Sequence, residues 1–302
     1  MLTFPSSTDH LILADWLETL AVVSPDRNSS FGDLERPLRR SSALEDSDDQ
    51  RAQEAIAEKW LQILGEFRDR ERSAGDAYPF AIEGVTLKLK GHAPDFAAYL
   101  FCLSLSTLVP NMSKKKQVYP RRLFEDLACS ASEQYLGGES LRFAHPRTNL
   151  PKEFHRAVSV LCTRIGEGDQ YRDQPSLSGK DRTLDVVAWK PFQDGLPGKL
   201  VLFGQCASGF DWNAKLGALR PKDFCDQWML DPPPSHLLRA FFLPHTLPRE
   251  RWKWTSRQGG IIFDRCRIAH WAHRARQTLL FDSLRLWLNE TLREAESAQR
   301  AA

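Results

Sequence analysis

Helical and extended segments alternate along this 302-residue chain, which predicts an α/β class with a mostly helical module at the amino terminus. Three observations carry this reading. Two short apolar runs, 183–189 and 199–205, flank the turn-rich stretch Pro191-Phe-Gln-Asp-Gly-Leu-Pro-Gly198, as the arms of a β-hairpin do. Two more short apolar runs, 239–243 and 260–263, read as further strands. Residues 51–72 repeat Ala55, Ile56, Trp60, Ile63, Leu64 and Phe67 at helical spacing.

Taken in order, residues 10–22 form a helix with one apolar face, and 41–53 is an acidic loop or helix start. Residues 78–90 read as extended, with Val85, Leu87 and Leu89 alternating with polar neighbours. An apolar helix over 93–109 ends at Pro110-Asn111. These segments make up a helical module over residues 1–113, with 111–117 as the linker to a second domain over 119–302. The second domain begins with a helix from Pro120, which Gly137-Gly138 closes. A helix over 152–165 and a polar loop over 166–180 precede the hairpin. Residues 211–219 then predict a helix capped by Asp211, and 265–296 another helix.

No run of apolar residues is long enough to span a bilayer, so no membrane partner is expected. The first residues lack a basic segment followed by an apolar stretch, so the expected location is cytoplasmic. The six cysteines show no C-x-x-C pair and read as reduced core thiols. Net charge is +2, which says nothing about nucleic acid, but the basic residues are clustered. Lys114, Lys115, Lys116, Arg121 and Arg122 crowd one stretch, and residues 239–277 hold nine Lys/Arg against two acids. Phosphate binding needs such a local field, although a solvated basic surface has the same composition.

The hairpin carries the chemistry. Asp185 opens one apolar run and Gln205-Cys206 closes the other. A carboxylate at the mouth of a buried strand is costly without a partner. Two strand ends that meet can hold a carboxylate and an amide oxygen around one cation. Magnesium suits such oxygen ligands, and a bound water with lowered pKa can attack a phosphodiester.

The strings Gly179-Lys-Asp181-Arg-Thr-Leu-Asp185-Val-Val-Ala and Lys199-Leu-Val-Leu-Phe-Gly-Gln205-Cys206 resemble the Mrr-type branch of the PD-(D/E)XK, restriction-endonuclease-like nucleases. Phe124-Glu125 is similar to the pair that family carries on its first helix, and Asp185 to its metal-binding aspartate. Gln205-Cys206 matches the first two positions of its Gln-x-Lys string. Phe241-Phe242-Leu243-Pro244 looks like its fourth strand, and Gly260-Ile-Ile-Phe-Asp264 like its closing strand. The matches are scattered over residues 119–280. The resemblance implies a mixed central sheet flanked by helices and a Mg2+- or Mn2+-dependent endonuclease acting on DNA. It also implies a prokaryotic defence setting against phage or plasmids, with a partner protein. The metal set it implies is Asp185, Gln205 and the Cys206 carbonyl, with Glu125 and Asp181 as further acids.

Ala207 stands where that family has its lysine. Lys215, reaching back from the next segment, is the first candidate to replace it, and Lys190 the second. Arg249, Arg251, Lys253 and Arg257, with Lys190, are the candidate nucleic-acid contacts. Trp252 and Trp254 either stack bases among them or form a half-buried strand, and His245 either touches a phosphate or is a loop histidine. Each site residue also has an ordinary reading: a turn aspartate, a backbone-satisfied amide, a solvated lysine, a helix-surface glutamate. The missing lysine leaves a second reading of the whole, a catalytically inactive nuclease-like scaffold that binds nucleic acid or a partner subunit.

Overall fold

The computed structural model describes residues 2–40, 49–173 and 183–300; Asp181 lies outside them. The amino-terminal part runs α1 (His10–Val23), β1 (Asn28–Ser30), α2 (Phe31–Arg39), α3 (Asp49–Ala74), β2 (Phe80–Glu83), β3 (Thr86–Leu89) and α4 (Ala97–Thr107). The remainder runs α5 (Val118–Leu136), β4 (Glu139–Arg142), α6 (Phe154–Ile165), β5 (Gly168–Tyr171), β6 (Val186–Lys190), β7 (Leu200–Cys206), α7 (Pro221–Trp228) and β8 (Met229–Asp231). It ends with β9 (Leu238–Phe242), α8 (Arg249–Gly259), β10 (Ile261–Phe263), α9 (Arg265–Ala272) and α10 (Leu279–Arg300).

A five-stranded sheet of order β10-β9-β7-β6-β4 organises the second half. β4, β6 and β7 pair antiparallel, and β7, β9 and β10 pair parallel. The sheet is therefore mixed, and helices cover both faces. Its short antiparallel connection is the hairpin read from the turn residues, whereas each parallel step needs a crossover, built here on α7 and α8. On one face Val186, Leu202, Ala240, Phe242 and Phe263 share a core with α5, α9 and the amino-terminal helices. On the other, Val187, Trp189, Val201 and Phe203 pack with Leu161, Phe224 and Trp228 of α6 and α7. Fully burying each such side chain contributes about 1.5–3 kcal/mol.

Two glycines are required where backbone approaches closely. α5 ends at Gly137 in the left-handed region (φ 60°, ψ 43°). A Cβ on the following Gly138 would lie 2.1 Å from the Trp189 carbonyl oxygen, so the turn into β4 admits no side chain. At Gly204 a Cβ would meet the Phe242 ring at 2.5 Å. That bare position lets Phe242 lie on the sheet and stack on Phe263 at 4.8 Å.

Several elements differ from the sequence reading. Residues 78–90 fold back as the hairpin β2–β3, turning at Gly84 (φ 62°). The 166–180 loop contains strand β5, which pairs with β8. The helix expected over 211–219 is a single 3-10 turn, Trp212–Lys215, ended by Gly217 at φ 76°. Residues 249–259, which hold Trp252 and Trp254, are the helix α8 and no part of a strand. Alternating Trp and Lys there mimics period two, but Trp252 turns inward while Trp254 is exposed. The long helix expected over 265–296 is broken into α9 and α10.

A buried ion network joins the amino-terminal helices to the sheet domain. Arg265, at the start of α9, donates twice to the Asp15 carboxylate of α1, at 2.8 and 2.7 Å. Arg70 of α3 binds Asp15 and Glu18, each at 2.8 Å. The Glu18 side chain is fully buried and also accepts from the Tyr78 and Tyr99 hydroxyls at 2.9 and 3.0 Å. Asp15 is held down at about 2 because the two guanidiniums outweigh the desolvation that raises it. Glu18 goes the other way, burial raising its pKa against both arginines.

Candidate active site

The helix α5 runs along the sheet face that carries Cys206, and it presents Glu125 toward the end of β7. The turn that follows β7 folds back over this point. Together they enclose a polar cleft of about 310 Å³ whose walls include Arg121, Glu125, Cys206, Ser208, Asp211 and Lys215. Asp185, one residue before β6, does not line the cleft but meets its edge from the neighbouring strand: its Oδ2 accepts from the Cys206 backbone N–H at 2.7 Å. The Asp185 backbone is pinned as well, donating to Gly204 and accepting from Phe143 and Ala144 at the end of β4.

Glu125, Cys206 and Lys215 are thus brought to one cleft, and Asp185 reaches its edge through the Cys206 backbone. Lys215 stands there without a helix, because the 3-10 turn brings its amine 3.4 Å from Asp211. Gln205 is not part of this cleft. Leu202 and Cys206 belong to the face packed on α5, while Phe203 and Ala207 belong to cores on the opposite face. Strand alternation therefore sends Gln205 away from Glu125, where it is 4% exposed and its Oε1 has no partner among the described residues. Ala207 points the same way as Gln205, so a lysine there would also face away from Glu125. Lys190 sits at the far end of β6, roughly 17 Å along the strand from Asp185, and donates to the Gly137 carbonyl.

The carboxylates of Glu125 and Asp211 line the cleft. Glu125 and Asp126 share Arg142, at 2.9 and 3.1 Å. Burial raises the pKa of both acids, against the lowering effect of that arginine. Arg142 is itself anchored on the backbone of Ala144 and Pro146 and on Thr148. The Cys206 thiol is pushed well above its ordinary range by burial first and then by the Asp185 and Glu125 charges. It is therefore not a thiolate nucleophile.

Among the described residues no three His, Cys, Asp or Glu side chains converge as a metal cluster. Magnesium does not require one, since it commonly binds through one or two carboxylates and keeps its waters. Glu125 in the cleft, and Asp185 bonded to the Cys206 N–H at its edge, are the carboxylates such binding would use. The register that pairs Val186 with Gly204 leaves Asp185 opposite Gln205 at the strand ends.

The basic helix α8 borders this region. Gln258, near its end, approaches Gly217, two residues beyond Lys215. Arg251, Lys253, Trp254 and Arg257 are exposed on it. Arg249 is tied to Asp69 at 2.6 Å, and Trp252 lies under the Arg267 guanidinium at 4.4 Å. Arg121, Asp211 and Arg142 are contributors the motifs did not single out. Arg121 had only its basic cluster as a signal, and the clamp by Arg142 had none.

His245 is no surface phosphate contact. Its pKa is lowered to about 4, by burial first and by Arg265 in addition, with Asp15 opposing. The unfolded chain titrates near the ordinary 6.5. Between these values the unfolded state binds a proton that the folded state refuses, so stability rises with pH across that window. We expect urea-unfolding free energy to fall by about 2–3 kcal/mol from pH 6.5 to 4 in the native protein relative to His245→Phe. Parallel pH profiles for the two proteins would refute this assignment.

Compared with known protein families, with curated proteins and with solved structures, the chain matches none. No helix among the described residues is long and apolar enough to cross a membrane.

Proposed function

We propose that the cleft between α5 and the end of β7 hydrolyses phosphodiester bonds, with DNA as the substrate and magnesium or manganese as the cofactor. The observation that supports it is the meeting of Glu125, Cys206 and Lys215 in a single polar cleft, with Asp185 bonded to the Cys206 N–H at its edge, in the chain order that the restriction-endonuclease-like resemblance implies. Asp185, Glu125 and the Cys206 carbonyl would hold the cation, which when bound supplies an acidified water. Lys215 places a positive charge where the phosphate gains negative charge, an electrostatic role that a lysine from the following turn serves as well as one from the strand. Arg121, on the α5 side of the cleft, offers a second cation to the substrate backbone, and the exposed cations of α8 extend this field. A defence setting, with the amino-terminal helices docking a partner protein, belongs to the same reading.

One observation favours the second reading, a scaffold that grips nucleic acid without cutting it. Gln205 and Ala207 both face away from the cleft, and Lys215 is already paired with Asp211. A single measurement separates the two. The full chain, incubated with plasmid and single-stranded DNA in magnesium and in a chelator, should show cleavage only with magnesium. Binding that weakens with salt, with no turnover in magnesium or manganese, would establish the scaffold instead.

A further inference from the structure

A cavity of about 570 Å³ lies where residues 2–16 meet α4 and the turns after β7 and β9, and the proposed chemistry does not use it. Its aromatic lining comes from Trp16, Phe210, Trp212 and His245. Its acidic lining comes from Asp9 and Asp15. Among the described residues no lysine or arginine lines it. Asp15 is already matched by Arg265 and Arg70, and Asp9 caps α1 by accepting from Leu11 N at 2.8 Å. The walls therefore offer acceptors and ring faces but no spare cation for a phosphate.

Two nitrogens of the lining residues, Trp16 Nε1 and His245 Nε2, are buried and have no hydrogen-bond partner among the described residues. Orphaned polar atoms are costly in a folded protein. Phe210, by contrast, is a large apolar ring left 67% exposed, tilted against His245 at 5.2 Å.

The segment 208–212 divides its residues between two sites. Ser208, Gly209 and Asp211 line the catalytic cleft, and Phe210 and Trp212 line this cavity. The His245 ring, packed against Phe210, ties the cavity wall to the same segment. Whatever holds Phe210 also holds the turn that places Asp211 and Lys215.

We propose that this cavity binds a flat, phosphate-free nitrogen heterocycle of nucleoside size, and that its occupancy fixes the 208–215 turn. Aromatic walls select a planar ring by stacking, Ser6, Ser7, Thr107 and Asn111 of the lining offer polar groups to its edges, and the size suits one such molecule. The effect on Lys215 rests on the nuclease reading of the cleft; the binding itself does not.

The test is calorimetric titration of the full chain with adenosine and with cytidine, to about 1 mM, beside their 5′-monophosphates. The expected result is saturable binding of a nucleoside, weaker by about tenfold or more for the monophosphate. Phe210→Ala should weaken it by about tenfold or more, the loss expected for one base–aromatic stack, with an unchanged circular dichroism spectrum. Arg121→Ala, which alters the cleft from α5 and not from the 208–215 turn, should bind as the native protein does. The proposal is overturned by no saturable heat with either nucleoside, by monophosphates binding as tightly, by an unaffected Phe210→Ala, or by loss of binding in Arg121→Ala, which would put the ligand in the cleft. No cleavable DNA is present, so these outcomes are independent of whether the protein is a nuclease.

Discussion

Asp185→Ala and Lys215→Ala should each lower magnesium-dependent DNA cleavage by about 100- to 1000-fold, the range seen when one preorganised electrostatic contact to a transition state is removed. The two losses should differ in kind. Asp185 is a proposed cation ligand and bonds the Cys206 N–H at 2.7 Å, so its loss should also raise the magnesium concentration needed for activity. Lys215 is proposed to act on the charge developing in the reaction, so its loss should lower the turnover rate at saturating magnesium. Lys190→Ala should cleave normally, because that amine is spent on the Gly137 carbonyl at the other end of β6. Single-turnover assays at several magnesium concentrations would show this. If Lys215→Ala retained the native rate while Lys190→Ala lost it, the site would have to be rebuilt at the opposite end of the sheet.

Arg265→Met should destabilise the protein by about 3–5 kcal/mol, a large part of the whole stability of an ordinary domain. The Arg265 side chain is fully buried, and its guanidinium satisfies Asp15, the Pro244 carbonyl and Ser106 as well as approaching Glu18. Removing it leaves two buried carboxylates with only Arg70 between them. The desolvation already spent on Asp15 is then uncompensated. Adding Asp15→Leu to Arg265→Met should recover part of the loss, because a buried pair replaced by packed apolar groups is often neutral. Arg265→Lys should fall between, since an ammonium cannot make the two parallel bonds to Asp15. Urea midpoints at one pH would read all three. A drop under about 1 kcal/mol for Arg265→Met would mean that the network is wetter and weaker than its burial implies.

The hairpin was legible because its signals are local. A turn-rich stretch of eight residues between two apolar runs can do little else, and it brings Asp185 close to Cys206 whatever surrounds them. The helices α1, α3 and α5 were legible for the same reason, apolar spacing with a clear stop. The failures were also local signals that tertiary packing overrode. Trp252-Lys253-Trp254 alternates as a strand does, but the crossover from β9 to its parallel neighbour β10 required a helix there. Asp211 looked like a helix cap, but the turn after β7 closes on Gly217 before a helix can propagate.

By itself the sequence determined that one acid and the end of one strand meet, and that a long basic side chain follows within ten residues of them. It could not determine which side of the sheet they serve. Period-two alternation tells which strand residues share a face, but not which face is covered by α5 and which by α6 and α7. Only that packing turned Gln205 and Ala207 away from Glu125 and left Cys206 and Lys215 beside it. The same holds for Arg265 and Asp15, 250 residues apart, whose pairing no spacing rule encodes. Burying either charge is tolerable only once the whole fold has delivered the other.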